Sequence, residues 1–300
     1  MTALALLRAG LVGVVFVGLF ALGAIAGGAP MPAAPRTGIR GLKRQRALAS
    51  SKGWAQLEPA LRWLGGRVKG LLGTQLLRSI DRQISMAGDY LGLMPEELVA
   101  LSLLSSAFGL LAGAGANVVV KMGPMLIVGV GAFGAIAPFM TLSSAAADRL
   151  KAIGRRLPAV VDLLALGMGA GLDFPGALRQ AVDRSGTPDD PLIEELSLIL
   201  LSLSVGRSRR EALEELAARA PIPPVQELVG SVVQAELRGN PVADVLVVQA
   251  EVSRQKRSVL GEEAAARAAV SMIGPLVLLF LAVLVLVVAP IAIKLGQQQI

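Results

Sequence analysis

Three long apolar runs dominate the hydropathy pattern of the chain. They cover residues 9–29, 98–142 and 271–293, and the only breaks, at Lys121 and Pro124, lie in the middle run. A helix needs about 20 apolar residues to cross the hydrocarbon core of a bilayer. The outer runs therefore predict one transmembrane helix each. The middle run is too long for one span and predicts a hairpin of two helices joined by a tight turn.

The segments between these runs have the periodicity of amphipathic helices. From residue 72 to residue 84, apolar side chains recur every fourth residue while charged residues occupy the other face. Residues 143–270 divide at glycines and prolines into about six helices, which predicts an antiparallel bundle with short connections. Pro158 is expected to open one of these helices, and Asp173 to cap the next.

Three glycines, each followed by a candidate cap residue, mark helix ends within this bundle. Six residues after each glycine, a small residue followed by leucine begins the next apolar face. Ser208 and Glu211 have the three-residue spacing of a capping box. The predicted helix-turn positions are Gly171, Gly206, Gly239, Asn240 and Pro241.

Together these patterns predict an all-α integral membrane protein with four transmembrane helices and a cytoplasmic antiparallel bundle of about six helices. The predicted parts are transmembrane helix 1 (1–29), a basic cytoplasmic helical region (30–97), a transmembrane hairpin (98–142), the cytoplasmic bundle (143–270), transmembrane helix 4 (271–293) and a short external tail (294–300).

The distribution of lysine and arginine predicts the orientation in the membrane. Bases cluster between residues 36 and 46 and at both ends of 143–270. Since basic flanks stay on the cytoplasmic side, both of these regions are expected inside and both termini outside. The cluster at 36–46 is expected to fix this topology or to bind anionic headgroups. The alternative is that residues 1–26 form a cleaved signal peptide, which would invert every later loop.

The composition limits the kinds of functional site that the chain can contain. Hydrophobic residues make up 54% of the 300 residues and charged residues 17%, and cysteine and histidine are absent. This composition excludes disulfide scaffolds, histidine-dependent nucleophiles and the common zinc sites. Few aromatics accompany the bases, which argues against nucleic-acid binding. We expect a protein that is not an enzyme, with no catalytic, metal or cofactor site. The alternatives are a small transporter, which the uncharged spans disfavour, and a membrane-embedded scaffold or signalling protein.

Several segments resemble the type II secretion F domain family. They are Arg156-Leu157-Pro158, Asp162-Leu163-Leu164 with Gly171, Gly239-Asn240-Pro241 with Leu246, and the basic stretch leading to Gly274-Pro275. The order of one span, a basic helical region, a hairpin, one F domain and a last span is similar to the Tad-pilus platform proteins TadB and TadC, with TadC favoured. The platform proteins of classical type II secretion carry two F domains, whereas this chain has one.

This resemblance implies a platform in the bacterial inner membrane that helps to insert or extract pilin subunits. The implied partners are a cytoplasmic secretion or pilus ATPase, a second platform subunit with one F domain, pilin and membrane lipids, within a homo- or hetero-oligomer. The chain lacks the G-x-x-x-x-G-K-[ST] phosphate loop, so another protein must supply the energy.

The densest charge cluster of the sequence lies in the predicted bundle and has two interpretations. It is either a contact for the ATPase, since charged rims steer association, or a solvated helix face with ordinary pairs four residues apart. The residues are Arg207, Arg209, Arg210, Glu211, Glu214 and Glu215. The neighbouring carboxylates Asp189 and Asp190 are expected to start a helix, where acids suit the helix dipole.

Overall fold

The computed structural model describes residues 38–50, 52–70, 72–120, 123–184 and 190–297. Every regular element in these residues is a helix, in agreement with the predicted all-α fold. The first predicted span, 9–29, lies outside the described residues. The helices are α1 (Ile39–Ser50), α2 (Lys52–Val68), α3 (Thr74–Met86), a 3-10 turn (Tyr90–Gly92), α4 (Pro95–Val120), α5 (Pro124–Gly169), α6 (Phe174–Arg184), α7 (Pro191–Ser204), α8 (Arg209–Arg219), α9 (Pro223–Arg238), α10 (Val242–Ser271) and α11 (Ile273–Gln297).

Three stretches of the described residues are long and apolar enough to cross a membrane. They are Pro95–Val118, Pro124–Gly169 and Val242–Val288. The first two lie in α4 and α5, on either side of Gly123, whose φ of +81° suits a tight turn that only glycine enters without strain. The third spans α10 and α11, which are separated only by Met272.

Glycines bring the backbones of α4 and α5 into close approach. A Cβ atom at Gly109 would lie 2.6 Å from the carbonyl oxygen of Val130, and one at Gly134 would lie 2.4 Å from the carbonyl oxygen of Ser105. Gly113 and Gly131 are similarly crowded. Membrane helices associate through small residues of this kind, because lipid tails provide no hydrophobic drive between helices.

The described chain forms two compact units. The first contains the described residues up to Leu157 together with Leu178–Val233. Its core includes a cluster of five buried apolar residues, against which Trp54 and Phe139 pack: Ile80, Ile84, Leu93, Leu98 and Leu142. In this unit α2 packs along α4, α7 packs against α8, and α3 also contacts α8. Segments far apart in sequence therefore share one fold.

The second unit contains Pro158–Ala177 and Gln234–Ile300. On α10, Val242, Leu246 and Ala250 are buried at four-residue spacing, which places them on one face of the helix. Arg254, one turn further on, forms a salt bridge with Asp162 at 3.1 Å between Nη2 and Oδ1.

The prediction of a separate helix beginning at Pro158 is wrong. Residue 158 lies inside α5, which continues without interruption from Pro124 to Gly169. A proline inside a helix removes one backbone hydrogen bond. The helix continues because buried side chains follow at helical spacing on both sides of it, among them Ile153, Leu157 and Val161.

The bundle glycines lie at helix ends in the left-handed conformation. Gly171, Gly206 and Gly239 have φ values of +94°, +86° and +70° and follow α5, α7 and α9. At each one, the next residue donates its N–H to a carbonyl five residues back, which is the Schellman arrangement. Asp173 then caps α6 by accepting from the N–H of Gly176 at 3.0 Å. Asn240 and Pro241 directly precede α10; Pro241 is its N-cap, and no side chain caps that helix.

Candidate functional site: a network of buried charges

Three bases of α1 are paired within the first unit: Arg40, Lys43 and Arg44. Arg40 donates from Nη1 to Asp81 at 2.7 Å and from Nε to Asp89 at 2.6 Å, and its Nη2 reaches the hydroxyl of Ser85 at 3.0 Å. Lys43 and Arg44 are paired as well. Three bases of this run therefore hold α1 against the rest of the unit, a role that the sequence did not indicate.

Arg44 joins α1 to the start of α4. Its two terminal nitrogens donate to both oxygens of Glu97 at 2.9 and 2.8 Å, and its Nε donates to Glu58 at 2.8 Å. Glu97 also accepts from the backbone N–H of Met94, at the N-terminal end of the helix, at 2.9 Å. Burial acts to lower the pKa of the Arg44 guanidinium, but the hydrogen bonds and charges of Glu97 and Glu58 outweigh it and raise the pKa.

Lys43 and Arg149 converge on Glu194. Lys43 forms a salt bridge with Glu194 and donates to the carbonyl oxygen of Gly88 at 2.5 Å. Arg149, on α5, donates from Nη2 to Glu194 and from Nη1 to Glu195, both at 2.9 Å. Two adjacent glutamates at the start of α7 thus bind bases from α1 and α5.

Glu195 extends the network to α8. Its side chain is only 1% exposed, and it accepts from Arg149 and, at 2.7 Å, from Nε of Arg219. A buried carboxylate is costly unless its charge is paired, and here two arginines pair it. We call Lys43, Arg149, Glu194, Glu195 and Arg219 the charge network.

Bases of α1 and α5 hold the turn before α4. Gly88, Asp89, Leu91 and Gly92 all have positive φ values, between +54° and +73°. A Cβ atom at Gly88 would lie 2.3 Å from Nε of Arg149. Positive φ at a leucine is strained, and such strain persists only when surrounding contacts fix the backbone. Arg40, Lys43 and Arg149 supply such contacts on the side of the turn that faces α1 and α5.

The electrostatics favour the ionised form of Glu194. Burial alone would raise the pKa of the Glu194 carboxyl, but hydrogen bonds and attraction from Lys43 and Arg149 outweigh burial and hold the pKa below its ordinary value. The ion pairs of Glu194 with Lys43 and Arg149 can therefore hold α7 against α1 and α5.

The charge cluster expected from the sequence lies on and beside α8, on the surface. Ser208 and Glu211 form the expected capping box, with both hydrogen bonds at 3.2 Å. Arg207 pairs with Glu215, and Arg210 donates from Nε to Glu214 at 2.8 Å. Arg209, at the first position of the helix, is half-buried, whereas Arg207 and Glu214 are exposed.

One contact joins this surface cluster to the charge network. Nη1 of Arg219 lies 3.5 Å from Oε2 of Glu215, and the other oxygen of Glu215 pairs with Arg207. The ion pairs thus run without a gap from the surface of α8, through Glu195 and Glu194, to Lys43 and the turn at Gly88. The sequence cluster marked only the outer end of this series.

Asp190 has a structural role. It accepts from the N–H of Leu192 at 2.9 Å as the N-cap of α7, and it pairs with Arg156. Asp189 lies outside the described residues. Within the described ranges, no group of three or more acidic side chains is placed to hold a metal ion.

Sequence reasoning did not identify the charge network because its members are isolated in the chain. Five α-helices separate Lys43 from Glu194 in the chain, and neither residue belongs to a recognisable motif. One usable signal existed: Glu194 and Glu195 lie in an otherwise apolar helix, where unpaired carboxylates are unfavourable and imply buried partners.

One family model matches a segment in the second half of the chain. Residues 160–290 match the family described as type II secretion system (T2SS), protein F. Searches of curated proteins and of solved structures found no match. The matched segment includes Glu194, Glu195 and Arg219 of the charge network, the α8 surface cluster and the whole of α10. Residues 160–290 therefore constitute a domain of the type II secretion system protein F family.

Proposed function

We propose that this chain is an inner-membrane platform protein of a Tad-type or type IV-like pilus, or of a machine similar to type II secretion. In this role it couples a cytoplasmic ATPase to the assembly or export of pilin. The observation that carries the proposal is the protein F domain at 160–290, joined to helices long and apolar enough to cross a membrane. The chain acts as a mechanical element and not as an enzyme.

The Lys43–Glu194 salt bridge supports the proposed topology. A salt bridge can form only if both residues lie on the same side of the membrane, and the two apolar segments of α4 and α5 lie between them in the chain. Two crossings return the chain to the side on which it began. Because bases flank these crossings, that side is the cytoplasm, with the hairpin turn near Gly123 outside.

We further propose that the exposed face of α8 contacts the ATPase. Arg207, Arg210 and Glu214 supply a charged surface of the kind that steers association. A displacement of α8 would move Arg219, and with it the ion pairs of Glu195 and Glu194 that hold Lys43 and the turn before α4. This series gives the ATPase a physical connection to the membrane hairpin.

The test is affinity purification of the tagged full-length chain from its own host in mild detergent, followed by mass spectrometry. The comparison uses wild type, the double variant R207E/R210E and the control R82E, which reverses an exposed charge on α3. Deleting the bundle is unsuitable, because it would also remove the buried partners of Lys43 and Arg149.

We expect a secretion ATPase to purify with wild type and R82E and to be lost with R207E/R210E. A purification that contains no ATPase and no second platform subunit in any mild detergent would reject the platform function. If the ATPase is retained equally by all three proteins, the platform function stands and the α8 contact is rejected.

A further inference from the structure

The second half of α2 lies across the start of α4. Glu58 of α2 and Glu97 of α4 bind the same guanidinium. Two turns further along α2, a Cβ atom at Gly65 would lie 3.4 Å from the backbone of both Glu96 and Glu97. Just past the end of α2, Nζ of Lys69 lies 3.4 Å from Oε1 of Glu96. Residues 58 and 69 are about 16 Å apart along a helix, whereas residues 96 and 97 are about 1.5 Å apart along theirs. This part of α2 therefore stays at one level of α4.

This level coincides with the beginning of the apolar segment of α4. The segment starts at Pro95, and residues 98–118 contain no charged side chain. Farther along α4, Leu103 and Phe108 are 49% and 59% exposed, as expected of a helix surface that contacts lipid. A helix that lies across the entry point of a membrane span runs parallel to the bilayer surface, at the depth of the headgroups.

One flank of α2 faces α1. Glu58 accepts from Nε of Arg44, on α1, at 2.8 Å and pairs with Arg62 one turn further on. Gly66 follows Arg62 by four residues, so it continues the same flank, and it is exposed. Because α1 also contacts the 3-10 turn that precedes α4 in the chain, this flank faces away from the apolar segment.

The opposite flank of α2 is apolar. Leu57, Leu64 and Val68 are separated by seven and four residues, which places them on one side of the helix. Leu64 follows Arg62 by two residues, or about 200° around the helix axis. Leu57 is 48% exposed, and Leu64 and Val68 are half-buried. An apolar flank on the side toward which α4 continues is suited to contact with acyl chains just below the headgroups.

Trp63 and Arg67 lie on the side of α2 that points away from Gly65 and α4. The guanidinium carbon of Arg67 is 3.9 Å from the centre of the Trp63 ring, in a cation–π contact. Tryptophan is enriched where a membrane meets water, and a base at this depth can reach lipid phosphates. This pair therefore agrees with a position of α2 among the headgroups.

We infer that α2 is an interfacial helix, embedded in the headgroup region of the leaflet at which the α4–α5 hairpin begins. Leu57, Leu64 and Val68 insert among the acyl chains, and Arg67 lies among the lipid phosphates. This inference rests on the proposed crossing of the membrane by α4 and not on ATPase coupling. Since α2 contacts both α1 and the first turn of α4, its attachment to lipid sets the depth at which the hairpin enters the bilayer.

The test is electron paramagnetic resonance of spin labels on the full-length chain in vesicles of phosphatidylcholine and phosphatidylglycerol. The chain contains no cysteine, so each single-cysteine variant carries one label. Accessibility of the label to oxygen, which concentrates among acyl chains, is compared with accessibility to a water-soluble nickel chelate. L57C places the label on the apolar flank. G66C, nine residues further on, places it on the opposite flank, where a Cβ meets no atom within 4 Å.

Two further variants calibrate the depth. F108C reports on the apolar segment of α4, and V205C reports on an exposed position directly after α7. We expect the label of L57C to be more accessible to oxygen than to nickel, at a depth between those of F108C and V205C. The label of G66C should be more accessible to nickel, as in V205C.

The other outcomes overturn the inference in distinguishable ways. If F108C is in lipid but L57C and G66C are equally accessible to nickel, the hairpin crosses the membrane and α2 is not interfacial. If L57C is accessible to neither reagent, protein and not lipid covers the apolar flank. If F108C itself is accessible to nickel, the proposed crossing is rejected, and the inference is rejected with it.

Discussion

Arg44 and Glu97 are joined by two parallel hydrogen bonds of 2.9 and 2.8 Å in the interior of the first unit, where their side chains are only 5% and 6% exposed. A planar guanidinium that meets both oxygens of a carboxylate is the strongest geometry available to a salt bridge. This pair ties the basic helix α1 to the residue that also binds the first turn of α4. The start of the α4–α5 hairpin is thereby fixed by a helix that ends more than 40 residues earlier in the chain.

Removing one partner of this pair should destabilise the first unit strongly. We expect Arg44→Met to lower the free energy of unfolding by about 3–5 kcal/mol, because Glu97 would remain buried without its main counter-charge. Both tryptophans of the chain, Trp54 and Trp63, lie in α2, so their fluorescence during denaturation in detergent reports on this unit. The control Arg210→Met breaks a surface pair and should change the free energy by less than about 1 kcal/mol. Similar values for the two variants would contradict the buried-pair interpretation.

The stability of the first unit should depend on pH through Glu194. Its folded pKa lies below the ordinary value of 4.5, so its ion pairs stabilise the fold fully above pH 4.5. That contribution is lost as the pH falls below 4.5 and through the folded pKa, because protonation of Glu194 removes its charge. Glu194→Gln should therefore unfold at a lower temperature than wild type near neutral pH, and the difference should shrink below pH 4.5.

The matched control for this pH series is Glu214→Gln, in the exposed pair with Arg210. Its melting temperature should follow that of wild type over the whole range, since surface pairs contribute little. If the Glu194→Gln difference stayed constant down to strongly acid pH, the carboxylate charge would not be the source of the stabilisation.

Two glycines with positive φ allow steric crowding to be separated from backbone strain. A Cβ at Gly92 would lie 2.4 Å from the carbonyl oxygen of Arg40, whereas Gly206 has open space around it. Gly206→Ala should cost only the left-handed conformation, about 1–2 kcal/mol. Gly92→Ala should cost about 1–3 kcal/mol more, because rigid backbone must move apart. Denaturant unfolding of both variants measures the difference, and equal losses would show that α1 does not press on this turn.

Local signals in the sequence predicted a large part of this fold. Some features depend only on residues within one or two helical turns, so the sequence predicts them directly. These are the helix ends at Gly206 and Gly239 and the capping box at Ser208. The same is true of the apolar segments that predict membrane helices. The predicted helix start at Pro158 was wrong because burial of the surrounding residues outweighs the loss of one hydrogen bond in α5.

The charge network could not be predicted because it depends on tertiary contacts. Lys43 was one base in a run that could equally have faced lipid, and Glu194 gave no indication of which base it binds. Only the fold brings α1, α5, α7 and α8 together around these carboxylates. Ion-pair partners far apart in the sequence follow from the topology of the chain and not from any local pattern.

The close approach of α4 and α5 predicts how this hairpin responds to substitution of its glycines. A methyl group at Gly134 would collide with the carbonyl oxygen of Ser105, while Gly129, five residues earlier on the same helix, has nothing within 4 Å of its Cβ position. Gly134→Ala should force the two helices apart and cost about 1–3 kcal/mol, because backbone atoms cannot yield as flexible side chains do. Gly129→Ala should be close to neutral. The measurement is the thermal stability of each variant in detergent. If the two alanine variants lost the same stability, the packing of this hairpin through glycine would be refuted.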